Sequence, residues 1–184
     1  KPLKKPYDEK SVGFVNQLKG IDPQRVNDLY ESALKHESSL KMFKNSKLQP
    51  PSGVLALSKV SDFDKNGYYL TGLEAIRDGK VAALVLAGGQ GTRLGYNGPK
   101  GAFSLGMPSN KSLFQYFSEK ILRLQVIAEK HFHLKSGAVA IPFFVMTSPL
   151  NDQSTKEFFR KNDFFGLCSA NVHFFSQGVV PCLK

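Results

Sequence analysis

The chain has 184 residues, 41% of them hydrophobic, and carries 25 lysines and arginines against 15 aspartates and glutamates, a formal charge of +10. That length supports one good core and a small second unit, and no apolar run approaches the ~20 residues a membrane-spanning helix needs. The basic residues are spread along the chain without the interleaved aromatic and basic signature of an RNA-binding motif, so nucleic acid is not the expected partner and a phosphate-rich small substrate accounts better for part of the charge.

Residues 1–70 read as a helical region followed by a connector, and residues 71–184 as an α/β core. The basic start, Lys1, Lys4 and Lys5, is too short for a targeting signal and is expected to be a solvated end. A short helix carries Val12, Val15 and Leu18. Asp22 before Pro23 is a second helix start, a capping carboxylate with proline at the first helical position. Val26, Leu29, Tyr30, Ala33 and Leu34 then recur at helical spacing until about His36. Residues 48–67 change texture: Pro50, Pro51, Gly53, Asp62, Asp64, Asn66 and Gly67 predict a solvated connector. Asp62, Asp64 and Asn66 alternate as in a calcium loop, but Leu73 stands where the closing glutamate belongs. A short helix is expected over 71–78, with Leu73 and Ile76 inward and Gly79 as its left-handed stop.

Residues 81–86, VAALVL, are uncharged and aliphatic, which predicts a strand buried on both faces of a parallel sheet. Ala87, Gly88, Gly89 and Gly91 follow, with Gln90 the one large side chain among them. Such a backbone can turn sharply and let a ligand approach its amides, while Arg93 and Lys100 add positive charge at the rim. Two common glycine loops are excluded by register. A dinucleotide fingerprint needs glycine where Leu94 stands, and a P-loop needs G-K-[ST], whereas Lys100 lies between Pro99 and Gly101. Tyr96, Asn97 and Gly98 ahead of Pro99 read as a more flexible insert than a rigid phosphate loop needs.

Ser112 with Gln115 forms a capping box for an amphipathic helix over 113–130, carried by Leu113, Phe114, Phe117, Ile121, Leu124 and Ile127. His131 and His133 beyond it have no carboxylate or cysteine nearby to complete a metal site, and read as a basic helix end. A second strand over 138–146 is broken by Pro142, so its first part belongs before the ladder begins. Ser154 with Glu157 suggests a further capping box, opening a helix with Phe158 and Phe159 that ends near Asn162 or Gly166. Residues 171–175 make a third strand. The order β, loop, α, β, α, β predicts parallel strands with right-handed crossovers and a ligand at their carboxyl ends, near residues 86–93, 147–148 and 177–178. Gln177 there presents donors and an acceptor that suit the imide edge of a uracil, or it is a loop-capping glutamine. Cys168 and Cys182 are read as free thiols of a reducing compartment, since two cysteines make no disulfide framework.

The stretch L-A-G-G-Q-G-T-R-L-G, followed four residues on by Pro99 and Lys100, resembles the signature of the uridylyl-transferring sugar pyrophosphorylases, and in the form GGQGTRLG the eukaryotic UDP-N-acetylglucosamine pyrophosphorylases. TGLEAIRDGKVA, IPFFVMTS and HFFSQG are similar to the same family, and GIDPQRVNDLYESAL resembles its first helices. The resemblance implies a Rossmann-like nucleotidyltransferase core with a mainly parallel sheet behind a small N-terminal helical region. It implies transfer of a uridylyl group from UTP to N-acetylglucosamine 1-phosphate, with magnesium or manganese as cofactor and metal ligands unknown. Carried over by motif, Leu86, Ala87 and Gly88 would contact the base with Gln177 and Gly178. Gly89, Gly91, Thr92 and Arg93 would hold phosphates, and Arg93 and Lys100 would be the catalytic pair. A UDP-glucose or broad UDP-sugar enzyme is the alternative within the class, and a non-catalytic nucleotide-binding regulatory domain the alternative outside it. The family is generally cytosolic, so a cytoplasmic location is expected, with oligomeric state open. Family members continue through a glycine- and asparagine-rich sugar loop and a later basic residue absent here, so the chain is expected to be the N-terminal part of a larger enzyme.

Overall fold

A computed structural model of the chain describes residues 9–43 and 49–178. Two compact units divide at Val54 and Leu55. In the first, α1 spans Glu9–Lys19 and α2 spans Pro23–Phe43. The start of α2 is the expected one: Asp22 Oδ1 accepts from the amides of Gln24 (3.0 Å) and Arg25 (3.1 Å). The helix runs further than its apolar periodicity suggests.

The first α-helix of the second unit is α3, Asp62–Arg77, which absorbs the last six residues of the expected connector. Ser61 is the reason. Its hydroxyl accepts from the Asp64 amide at 3.1 Å and donates to the Asp64 carboxylate at 2.6 Å. Asp62 and Asp64 then sit in the first turn, where acidic side chains oppose the positive end of the helix dipole. That cap outweighs the roughly 1 kcal/mol that Gly67 costs inside a helix. It also removes the calcium-loop geometry. Leu73 and Ile76 are buried as expected, and Gly79 ends the helix at φ 67°.

The sheet has three parallel strands in the order β1-β2-β3: β1 is Ala83–Leu86, β2 Phe143–Thr147 and β3 Val172–Ser176. Between them lie α4, Leu113–His131, and α5, Asp152–Lys161. Ser112 caps α4 by accepting from the Gln115 amide at 3.1 Å, while the Gln115 side chain turns instead to Glu119. Residues 138–142 stay outside the ladder, as Pro142 implies. Side chains of α4 hold them: Glu129 accepts from the amides of Gly137 and Val139, and Gln125 from that of Ile141.

The core is aromatic. Phe159 is fully buried, with ring centroids 4.9 Å from Phe114, 5.2 Å from Phe174 and 5.3 Å from Phe165. Asp163, Phe164 and Phe165 adopt φ of 47°, 50° and 54°, a left-handed run that costs roughly 1–2 kcal/mol per residue and is offset by packing both phenylalanines against this cluster.

Two expectations are corrected. β1 is not buried on both faces: Leu84 and Leu86 are 61% and 70% exposed, because among the described residues only the face presented by Ala83 and Val85 is packed against the core. Helix α5 begins two residues before Ser154, and its expected capping box does not form. Ser154 Oγ donates to the Asn151 carbonyl, Glu157 accepts from Gln153, and the favourable first-turn acid is Asp152. No described helix is long and apolar enough to cross a membrane.

Candidate nucleotide-binding site

The three strand ends meet. The Ala87 amide donates to the Met146 carbonyl (2.7 Å), and the Gln177 amide to the Thr147 carbonyl (2.8 Å), so the loop after β1, the end of β2 and the residue after β3 are joined through backbone. Gln177 reaches back across this junction. A Cβ on Gly88 would lie 2.7 Å from its Oε1 and 3.0 Å from its Cδ, so the carboxamide lies directly against the Gly88 backbone. Gly178 follows it, exposed.

The loop from Gly88 to Lys100 is a closed ring. Gly91 donates to the Gly98 carbonyl at 2.9 Å and Lys100 to the Gly89 carbonyl at 3.2 Å, pairing Gln90 with Pro99 in antiparallel fashion. Thr92–Leu94 forms a 3₁₀ turn that ends on Gly95 at φ 68°. Tyr96 fills the ring. Its amide donates to the Gly91 carbonyl, and its side chain would clash with a Cβ on Gly91 (2.8 Å) or on Gly98 (2.9 Å). Its ring also meets Phe103 edge-on at 5.8 Å. The insert is therefore clamped, contrary to the flexibility expected of it. None of Gly88, Gly89 or Gly91 has positive φ, so Gly88 and Gly91 serve here by leaving room for Gln177 and Tyr96.

The amides of Gly88, Gly89, Gln90, Thr92 and Arg93 have no acceptor among the described residues, which leaves the loop's donors available to an anion. Arg93 and Lys100 are both exposed and form no ion pair among the described residues. Lys100 opens a second 3₁₀ turn, Lys100–Ala102, seated on the core where Gly101 abuts the Phe114 ring. Leu86 and Ala87 lie at the strand's end, Ala87 buried and the Leu86 side chain turned outward. The structure thus brings every predicted contact residue to one end of the sheet.

Residues 24–184 match the sequence model of the family described as UTP–glucose-1-phosphate uridylyltransferase. The chain belongs to that family. Among the relatives of this chain, a probable UDP-N-acetylglucosamine pyrophosphorylase of Schizosaccharomyces pombe is 40% identical over 98% of the chain and 37% of its own length. One of Dictyostelium discoideum is 35% identical over 96% of the chain and 36% of its own length. The crystal structure of the uridine diphosphate N-acetylglucosamine pyrophosphorylase from Trypanosoma brucei in complex with inhibitor superposes with a TM-score of 0.74 at 38% identity, covering 91% of this chain and 32% of that one. The fold is therefore that of these nucleotidyltransferases, and the chain spans about a third of the length of the relatives it matches.

The candidate site also contains residues that the sequence did not single out. Asn151 is 1% exposed at the start of α5, and its side chain bonds to the loop after β1. Thr147, fully buried, places Oγ1 2.7 Å from Asp152 Oδ1 and 3.1 Å from the Phe175 carbonyl. Hydrogen bonding from Lys156, then from Thr147, holds the Asp152 carboxyl below the usual aspartate range. The available signal was an asparagine three residues beyond a strand-ending Thr-Ser, a position from which a short amide reaches backbone groups. His131 and His133 belong to no metal cluster among the described residues. Cys168 is an exposed free thiol, and Cys182 lies outside the described residues.

Proposed function

We propose that this chain carries the UTP-binding part of a UDP-N-acetylglucosamine pyrophosphorylase, which forms UDP-N-acetylglucosamine and pyrophosphate from UTP and N-acetylglucosamine 1-phosphate. One observation carries the reading: the Gln177 carboxamide lies against Gly88 at the start of a loop whose free amides are followed by Arg93 and Lys100. A base-reading amide and an anion cradle are adjacent. The names of the relatives support the same reading.

In this mechanism a phosphate oxygen of the sugar 1-phosphate attacks the α-phosphorus of UTP. The bond from that phosphorus to the bridging oxygen breaks, and its electron pair leaves with pyrophosphate. No protein nucleophile is needed, so catalysis is positioning plus stabilisation of spreading negative charge. The Arg93 fork matches paired oxygens of the β and γ phosphates, and Lys100 places a point charge at the α-phosphate. Gln177 and Gly178 read the uracil edge beside backbone groups of Leu86, Ala87 and Gly88. Gly89, Gly91 and Thr92 line the phosphates.

Magnesium or manganese, when bound, would neutralise phosphate oxygens. The described residues do not fit a protein-built cage for it. They contain no group of three metal-ligating side chains, and Asp152 at the strand ends is occupied by Lys156 and Thr147. UTP and a sugar 1-phosphate are the partners of this reading, and the cytosol its compartment. The family description carries glucose 1-phosphate, which keeps a UDP-glucose enzyme as the second reading.

The test is pyrophosphate release by the complete protein from UTP, CTP and ATP with each sugar 1-phosphate. Selective turnover of UTP with N-acetylglucosamine 1-phosphate is expected, and Gln177→Ala is expected to lose most of the preference for UTP over CTP. Release with glucose 1-phosphate alone would replace the sugar, and no release with any pair would overturn the reading.

A further inference from the structure

Among the described residues, Asn151 is the one side chain that bonds directly to the loop after β1 and to the end of β2 together. Its amide is used to capacity. Nδ2 donates to the carbonyls of Ala87 (2.9 Å) and Gly89 (3.1 Å), and Oδ1 accepts from Ser148 N (2.8 Å) and Ser148 Oγ (3.1 Å). The Gly89 carbonyl is the same one that accepts from the Lys100 amide at 3.2 Å. Ser148 follows Thr147, whose carbonyl holds the Gln177 amide. One buried carboxamide thus connects, through one backbone group each, to the backbone of both Lys100 and Gln177.

We propose that Asn151 is a positioning residue that fixes the phosphate loop, and with it Lys100, relative to the end of β2. A polar group fully satisfied and out of water is rigid, because any displacement leaves a carbonyl or amide without a partner. The assignment of that loop to a triphosphate rests on the function proposed above; the positioning does not. Asparagine is required over aspartate. A carboxylate of the same shape keeps the Ser148 contacts but has no donor, and turns an acceptor toward two carbonyl oxygens.

Asn151→Asp and the uncharged, shorter Asn151→Ser in the complete protein test this. Hydrogen exchange followed residue by residue should accelerate at least ~10-fold at the Lys100 and Gly91 amides while Val145 in β2 keeps its protection. The KM for UTP should rise at least ~10-fold with the KM for the sugar 1-phosphate within ~3-fold, whereas partial unfolding would lower kcat alone. Unchanged exchange at Lys100 and Gly91, or equal acceleration throughout β2, would overturn the proposal. So would faster loop exchange with an unmoved KM for UTP, or failure of both variants to fold, which would make Asn151 a folding determinant. If the unaltered protein does not turn over UTP, the proposed function falls and the exchange pattern alone decides the role of Asn151.

Discussion

Replacing Gly101 with alanine tests whether the turn that carries Lys100 is seated on the aromatic core. A Cβ at this position would lie 2.2 Å from Phe114 Cζ and 2.4 Å from both Cε atoms. An ordinary carbon contact is ~3.5–4.0 Å, so something has to move by roughly 1.3–1.8 Å. The ring cannot. Phe114 is 0% exposed, with Phe159 and Phe158 centroids 4.9 Å and 6.3 Å away. The turn Lys100–Ala102 moves instead, at the roughly 1–3 kcal/mol that overpacking costs. Denaturant unfolding of the complete protein is expected to show that loss, and calorimetry a weakened affinity for UTP. Pairing the change with Phe114→Leu isolates the cause, since leucine frees the space the methyl needs. The double variant should recover at least ~1 kcal/mol relative to the sum of the singles. Effects that add within about 0.5 kcal/mol would refute the reasoning, because the contact between Gly101 and Phe114 would then not be what seats the turn.

Lys100→Ala is expected to leave thermal stability unchanged, since the side chain is exposed, and to lower turnover at least ~100-fold; a near-normal rate removes Lys100 from the chemistry. Gly88→Ala behaves oppositely to Gly101→Ala. The atoms it meets are the far end of the exposed Gln177 side chain, which swings away for less than about 0.5 kcal/mol. Stability is retained and discrimination between UTP and CTP is lost; retained discrimination would show that the contact does not orient Gln177. Asp152→Asn is expected to destabilise the fold at neutral pH. Because the Asp152 carboxyl titrates below its unfolded value of about 3.9, the stability it contributes is full above that value and disappears as pH falls through the folded one. The gap between wild type and variant in urea titrations should be constant from pH 7 to about 5 and close in acid. A gap that widens in acid has the wrong sign and would sink the assignment.

The order of elements was legible because each signal is local. Pro142 lacks the donor a ladder needs, Ser112 caps the helix it precedes, and Gly79 occupies the left-handed stop. The motif around Gly88 to Lys100 was legible as a tight glycine-rich loop after β1, and the parallel crossovers bring residues 86–93, 147–148 and 177–178 together. What escaped was competition and distance. At Ser61 a cap outweighs a cluster of turn formers, and apolar content alone does not say that β1 has one face open. Asn151 acts on carbonyls 62 and 64 positions away, a relation no window of sequence contains.

Four glycines in and beside the loop work by size. Gly88 faces Gln177, Gly91 and Gly98 face Tyr96, and Gly101 faces Phe114, and none of the four needs a positive φ. Each is half of a small-and-large couple whose other half is a named side chain. Such a loop tolerates compensated pairs of changes better than single steps. Substitution at any of these glycines would then be accommodated by exchanging the couple, with the aromatic or amide partner trimmed as the glycine grows.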